Sequence, residues 1–225
     1  MQRNVIVTKD GSHSIEIPEL HVSYHSVHGA IQESLHVFIE VGLKHWLSGH
    51  PFNTECTIFE MGFGTGLNAL LTFMETSSLP QKIIYEAVEA YPLELPIAEQ
   101  LNYCGALQRS HLQPVFDLLH RCEWNKPVAV SDQFTLKKVN TMLDKFSGDC
   151  RFDLIYYDAF APNAQPELWT EAIFQQLFNM LIPGGILVTY CSKGDVRRAL
   201  QAVGFTVEKL QGPRGKREMI RAVKY

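Results

Sequence analysis

The chain has 225 residues, of which 46% are hydrophobic and 20% charged, with a formal net charge of −4. That length supplies one well-filled core with a small appendage and is short for two full domains, while the apolar content excludes a disordered chain. No apolar run approaches the roughly 18–20 residues of a membrane span, and the start MQRNVIVTKDG lacks a signal-peptide core, so the expectation is a cytoplasmic protein with no membrane partner.

Val5–Thr8 and Ser14–Ile17 flank Asp10-Gly11, a hairpin turn signal, and a helix is predicted from about Ala30 to Leu47 with apolar residues at 31, 35, 38, 39 and 43. Residues 1–50 therefore read as a hairpin and helix packed on a main domain, residues 51–225. In that domain short apolar runs alternate with amphipathic stretches, the rhythm of a parallel α/β sheet. Thr57–Met61 is the first strand, followed by a glycine loop and a helix from Leu67. Lys82–Glu89 is the second, with a helix after Pro92, and Arg109–Arg121 is helical. The third strand falls within Val128–Leu136, and the fourth is Phe152–Asp158, backed by a helix over Pro166–Leu181. Pro183-Gly184-Gly185 turns into a fifth strand, Ile186–Cys191, and a short helix over Val196–Val203 ends at Gly204. Phe205–Leu210 and Arg217–Val223 close the chain as a strand pair. The predicted fold is a doubly wound, mostly parallel sheet with an antiparallel C-terminal hairpin.

The net charge is uneven. Residues 1–192 hold 11 basic against 21 acidic residues, whereas residues 193–225 hold nine basic against three acidic. A basic tail is either a nucleic-acid contact or a solvated face. The five cysteines (56, 104, 122, 150 and 191) contain no CxxC pair and read as reduced thiols, and the histidines, His25 and His28 included, lack the partners of a metal site.

The sharpest local motif is Glu60-Met-Gly62-Phe-Gly64-Thr-Gly66-Leu-Asn68, at a strand-to-helix junction. Glycines there admit a ligand close to the helix N-terminus. The spacing is not the GxGxxG of a dinucleotide fold, and a carboxylate two residues before the first glycine repels pyrophosphate. It suits a ligand that carries an ammonium and a sulfonium, namely S-adenosyl-L-methionine. Glu89, at the end of the second strand, is placed to accept hydrogen bonds from ribose hydroxyls, with Glu86 the competing residue. Asp158 emerges from the fourth strand at the ligand edge, where a carboxylate orients an amine or takes its proton. Phe160 and Pro162 are candidate walls for a planar base. Cys191 is either a nucleophilic thiolate or a small core residue, and a nitrogen acceptor needs no thiolate.

Three segments together resemble the methyltransferase part of the enzymes that make 5-methylaminomethyl-2-thiouridine at the tRNA wobble position. They are EMGFGTGLN (60–68), DAFAP with PELW (158–169), and the tail from Lys193-Gly194 through Gly204-Phe205 to Gly215-Lys-Arg-Glu-Met219. The segment Tyr24-His-Ser26 to Glu33-Ser34 is similar as well. The resemblance implies a class I, Rossmann-like methyltransferase fold over 51–225, S-adenosyl-L-methionine as donor, and tRNA carrying 5-aminomethyl(-2-thio)uridine as acceptor. It implies that Glu60, Gly62, Gly64, Gly66, Asn68, Glu89 and Asp158 hold the donor, with Asp158 at the transfer site. Phe160 and Trp169 would shape the acceptor pocket, and Lys193, Lys216 and Arg217 would hold tRNA, the last two as phosphate contacts. Relatives often carry a flavin-dependent oxidase that generates the amine. No second nucleotide fingerprint is present here, so a separate enzyme is expected to supply it. An acid often follows the third strand to bind adenine; the matching stretch Leu136–Thr141 has none, which leaves Asn140 or main-chain groups. The rival readings are a small-molecule amine methyl- or aminopropyl-transferase and a non-catalytic RNA-binding or cofactor-sensing module.

Overall fold

The computed structural model describes residues 2–147 and 151–225, so Cys150 lies outside the described residues. Three short strands, β1 (Asn4–Val7), β2 (His13–Ile17) and β3 (Val22–Ser23), form a small antiparallel sheet. Its first turn uses Gly11 at a φ of +83°, as the Asp-Gly signal requires. A continuous helix, α1 (30–49), follows. Its middle, Leu35–Lys44, is π-helical and buries Val37, Phe38, Ile39 and Leu43.

Among the described residues the main sheet has eight strands. They are β4 (Glu55–Met61), β5 (Lys82–Val88), β6 (Pro127–Ser131), β7 (Phe134–Val139), β8 (Phe152–Tyr157), β9 (Leu181–Thr189), β10 (Thr206–Gln211) and β11 (Glu218–Val223), in the spatial order β10-β11-β9-β8-β4-β5-β7-β6. The inner pairs β4–β5, β4–β8, β5–β7 and β8–β9 are parallel, and β6, β10 and β11 add antiparallel edges. All six residues of β8 are buried, as a parallel strand covered on both faces demands. The connecting helices are α2 (Leu67–Thr76), α3 (Leu95–Ala98), α4 (Tyr103–Ala106), α5 (Gln113–Arg121), α6 (Glu171–Met180) and α7 (Gly194–Ala202).

Two apolar layers sandwich the sheet. One joins α1, α2 and α5 to the strands through Phe38, Trp46, Ile58, Leu70, Tyr85 and Phe116, and the N-terminal Ile15 belongs to it. The other joins α6 and α7 through Phe174, Leu177 and Leu200 to Phe59, Tyr157 and Leu187.

The local differences from expectation have physical causes. The third strand is a hairpin, β6 against β7, and β7 alone pairs with β5. The helix after Pro92 breaks into short pieces. Helix α6 starts late because Pro166–Trp169 forms a separate 3-10 turn, and Thr170 then caps it by accepting from the Ile173 amide. Pro183-Gly184-Gly185 lies inside β9 rather than before it. Gly184 donates to the Lys224 carbonyl and Lys224 donates to the Gly185 carbonyl, so the residue after the last strand ties this stretch into the sheet, with Gly184 at a φ of +83°.

Candidate active site

The parallel strands β4, β5 and β8 deliver Glu60, Glu89 and Asp158 to one edge of the sheet, the carboxyl edge at which open α/β sheets bind ligands. Beyond β4 the chain turns through Gly62, Gly64 and Gly66, whose φ values of +88°, +49° and +70° lie in the left-handed region. The amides of Gly62 and Phe63 both donate to the Val88 carbonyl, which fixes the loop over the end of β5.

Asn68, on the first turn of α2, holds two of the carboxylates together. Its Nδ2 donates to Glu60 Oε1 at 2.9 Å and to Asp158 Oδ2 at 2.9 Å. Burial pushes the Glu60 carboxyl well above the usual carboxylate range, an effect the Asn68 bond opposes and the Asp158 charge reinforces. Burial likewise pushes Asp158 up to about 7, helped by the Glu33 carboxylate and opposed by Asn68 and Lys216. Glu89 accepts from the amides of Gly64 at 3.0 Å and Tyr91 at 2.9 Å, one bond to each oxygen. Each of those oxygens retains a lone pair for a further donor. Glu86 is paired with Lys137 at 2.7 Å and is absent from the lining of the cleft.

These residues border a cleft of about 890 Å³ that also takes in Tyr24, His25, Phe160 and Asp144. Its near wall comes from the N-terminal segment. The Tyr24 ring meets the Phe160 ring edge-on at a centroid distance of 5.2 Å. Tyr24 also lies against Gly64, where a Cβ would sit 3.2 Å from the ring. Arg3 reaches the rim and donates to the carbonyls of Tyr91 and Pro92. His25 is buried, in contact with Ser14 Oγ through Nδ1, and burial lowers it to about 4, so the ring is neutral at physiological pH.

Several expectations need correction. Trp169 is buried behind the wall rather than in it, and its Nε1 donates to the Phe160 carbonyl at 2.8 Å. Lys216 is not a free phosphate contact. Its Nζ pairs with buried Glu33 at 2.5 Å and lies 3.7 Å from the centre of the Tyr190 ring. Lys193 is exposed and donates to Asn163 Oδ1, while Arg217 is exposed at the tail hairpin. Other tail cations are also engaged. Lys209 pairs with Glu218, Arg221 with Glu208 and Arg198 with Asp195, and Lys224 donates to the carbonyls of Phe178 and Leu181. An acid does follow the third parallel strand, but later than expected: Asp144 lines the cleft, whereas Asn140 uses its Nδ2 on the carbonyls of Glu89 and Ala90. Cys191 is buried in the second apolar layer, and burial pushes its thiol up, against a thiolate.

The donor set fits S-adenosyl-L-methionine. Asn68 Oδ1 is a buried acceptor without a partner among the described residues, and Glu60 Oε2, near the Tyr85 hydroxyl, has no donor at normal hydrogen-bond geometry, next to a loop that glycine keeps open. The carboxyl groups of Glu60, Glu89 and Asp158 at one cleft favour a ligand with positive charge and hydroxyl donors. Among the described residues no helix is long and apolar enough to cross a membrane, and no group of three or more His, Cys, Asp and Glu side chains is arranged to hold a metal ion.

Comparison with known proteins agrees with the geometry. Residues 118–225 match a family described as S-adenosyl-L-methionine-dependent methyltransferase. The chain is 33% identical over 219 residues to the tRNA 5-methylaminomethyl-2-thiouridine biosynthesis bifunctional protein MnmC of Magnetococcus marinus, covering 90% of this chain and 31% of that protein. It is 32% identical over 211 residues to the protein of the same name from Idiomarina loihiensis, covering 88% and 34%. The chain thus spans about a third of the length of these relatives. The crystal structure of MNMC2 from Aquifex aeolicus superposes with a TM-score of 0.79 at 24% identity, over 100% of this chain and 70% of that one, which establishes the class I methyltransferase fold. Residues 118–225 are therefore similar to the S-adenosyl-L-methionine-dependent methyltransferase family, and the chain as a whole is similar to about a third of the length of the bifunctional proteins.

Proposed function

We propose that this chain methylates the primary amine of 5-aminomethyl(-2-thio)uridine at the wobble position of tRNA. The observation that carries the reading is Asp158, a carboxyl raised to about 7 at the inner end of the cleft, beside the residues suited to the donor. When bound, S-adenosyl-L-methionine supplies an electrophilic methyl group on a sulfonium. Glu60, Asn68 and the glycine loop would hold its amino-acid end, Glu89 its ribose, and Asp144 its adenine. An alkylamine is mostly protonated at neutral pH and has no lone pair to offer until a base removes the proton. Asp158, titrating near neutrality, is suited to accept that proton, and Tyr24 and Phe160 exclude water from the acceptor side. The names of the relatives support tRNA as the acceptor, and the exposed Arg214 and Arg217 of the tail hairpin support contact with its phosphates. Formation of the amine is a different chemistry, and its supply by a separate catalytic unit in the same cytoplasm is part of the proposal.

The test is incubation with methyl-labelled S-adenosyl-L-methionine and tRNA from cells that lack the modification, followed by nucleoside analysis. Label in 5-methylaminomethyl-uridine is the expected result. Label confined to small amines, or no transfer despite donor binding, would overturn it in favour of the respective rival readings.

A further inference from the structure

Glu33 is 7% exposed, far from Lys216 in sequence, and buried carboxylates persist only where they are paired. Its two oxygens have different partners. Oε1 takes the Lys216 ammonium, and Oε2 accepts from the Ser26 amide at 2.8 Å, two residues along from Tyr24 in the near wall. Lys216 in turn sits on the face of Tyr190. The Tyr190 hydroxyl donates to the Ala159 carbonyl at 2.8 Å, next to Asp158, while Trp169 secures the following carbonyl, that of Phe160. The loop between β10 and β11 is pressed against the same segment, since a Cβ on Gly215 would lie 2.4 Å from the His28 ring.

From this geometry we propose that Lys216 and Glu33 form a positioning pair: their ion pair fastens the C-terminal loop to both walls of the acceptor side and sets the orientation and charge environment of Asp158. The proposal rests on the reading of Asp158 as the proton acceptor. It assigns the tail lysine to the reaction centre rather than to tRNA phosphates. The polar groups facing Asp158 are Glu60 from β4, Tyr85 from β5, Asn68 from α2, Glu33 from α1, Lys216 from the tail loop and Tyr190 after β9. Of these, Glu33 and Lys216 bring the opposite charges that the pair balances.

The experiment follows the Asp158 carboxyl by 13C NMR in the full chain, assigned with D158N, and measures kcat and KM for tRNA bearing the aminomethyl-uridine. In E33Q the midpoint of Asp158 should fall by at least about half a pH unit, because a facing carboxylate is gone while the cation stays. In K216M it should rise, because two carboxylates then face each other without a cation, and in K216R it should stay near that of the wild type. E33Q and K216M should lose about tenfold in kcat, with KM for tRNA within about threefold. The double variant E33Q/K216M leaves no lone buried charge and serves if a single variant fails to fold. Its midpoint should fall below the wild type, since Glu33 raises Asp158 more than Lys216 lowers it. A tenfold rise in KM at unchanged kcat, or an Asp158 titration identical in all variants, would overturn the proposal. If the wild type transfers no methyl to tRNA while the Asp158 midpoint still moves as described, the proposed function fails and the positioning pair stands.

Discussion

The two sides of the cleft are built in opposite ways. The donor side is continuous in sequence: Glu60, the glycine loop and Asn68 lie within nine residues, and Glu89 closes the next strand. The proposed acceptor side is assembled from Tyr24 and Glu33 near the start, Asp158 and Phe160 in the middle, and Tyr190 and Lys216 toward the end. A cofactor-binding motif can thus be carried by one strand–loop–helix unit, while recognition of an acceptor depends on packing between distant segments.

The largest expected effect lies where the two sides meet. Asp158→Asn should reduce single-turnover methyl transfer by about 10²–10³-fold while donor affinity, measured by calorimetry, stays within a few fold. Wild-type turnover should rise with pH through about 7, as the carboxyl gives up its proton, and the variant should lose that limb. The same residue costs stability. Its carboxyl titrates near 3.8 when exposed and near 7 in the fold, so the folded chain binds more protons between those values. The stability that this one carboxyl contributes is fully present below about pH 4 and is lost as pH rises to 7. Removing the charge should stabilise the protein by roughly 1–3 kcal/mol at pH 8, allowing for partial solvent contact in the cleft, readable as a raised Tm.

Next is a variant that acts on the donor side alone. Glu60→Gln should weaken donor binding about 10–100-fold without changing tRNA affinity, the cost of losing one charge-assisted contact. Because a cationic ligand favours the charged form of Glu60 and Asp158, wild-type donor binding should tighten as pH rises and release protons, which calorimetry in buffers of different ionisation enthalpy will detect. Arg214→Ala with Arg217→Ala should weaken tRNA binding about tenfold at physiological salt and flatten its salt dependence by about one to two in log–log slope, leaving the donor side untouched. The smallest effect is expected from Trp169→Phe. Loss of the indole bond to the Phe160 carbonyl should lower kcat about three- to tenfold with donor affinity unchanged, and an altered donor Kd would blur the separation of the two sides.

The sequence was readable where causes are local. The glycine spacing, the apolar runs of β4, β5 and β8, and the acids that end them were evident because one strand and one turn determine their placement. Asp144 escaped because the chain makes a turn between the end of β7 and the cleft, which shifts the acid beyond the window aligned with the strand. Trp169 escaped because its apolar bulk sets its place, with the indole N–H then finding a carbonyl behind the wall. The basic tail was misleading for a different reason. Charge counts cannot show pairing, and the fold neutralises Lys209, Lys216 and Arg221 against Glu218, Glu33 and Glu208. The roles of Glu33, Lys216 and Tyr24 could not be read from spacing, since Glu33 meets Lys216 and Tyr24 meets Phe160 across more than a hundred residues.

The contact between Glu33 and Lys216 closes a loop of 183 residues. On a ribosome, the α1 segment and the glycine loop are synthesised long before Lys216, and contacts of such sequence separation form only after the intervening chain is available. A nascent chain can therefore build its donor pocket while the acceptor wall is still without its latch. Under the proposed function, full methyl transfer is expected only after the last hairpin has docked.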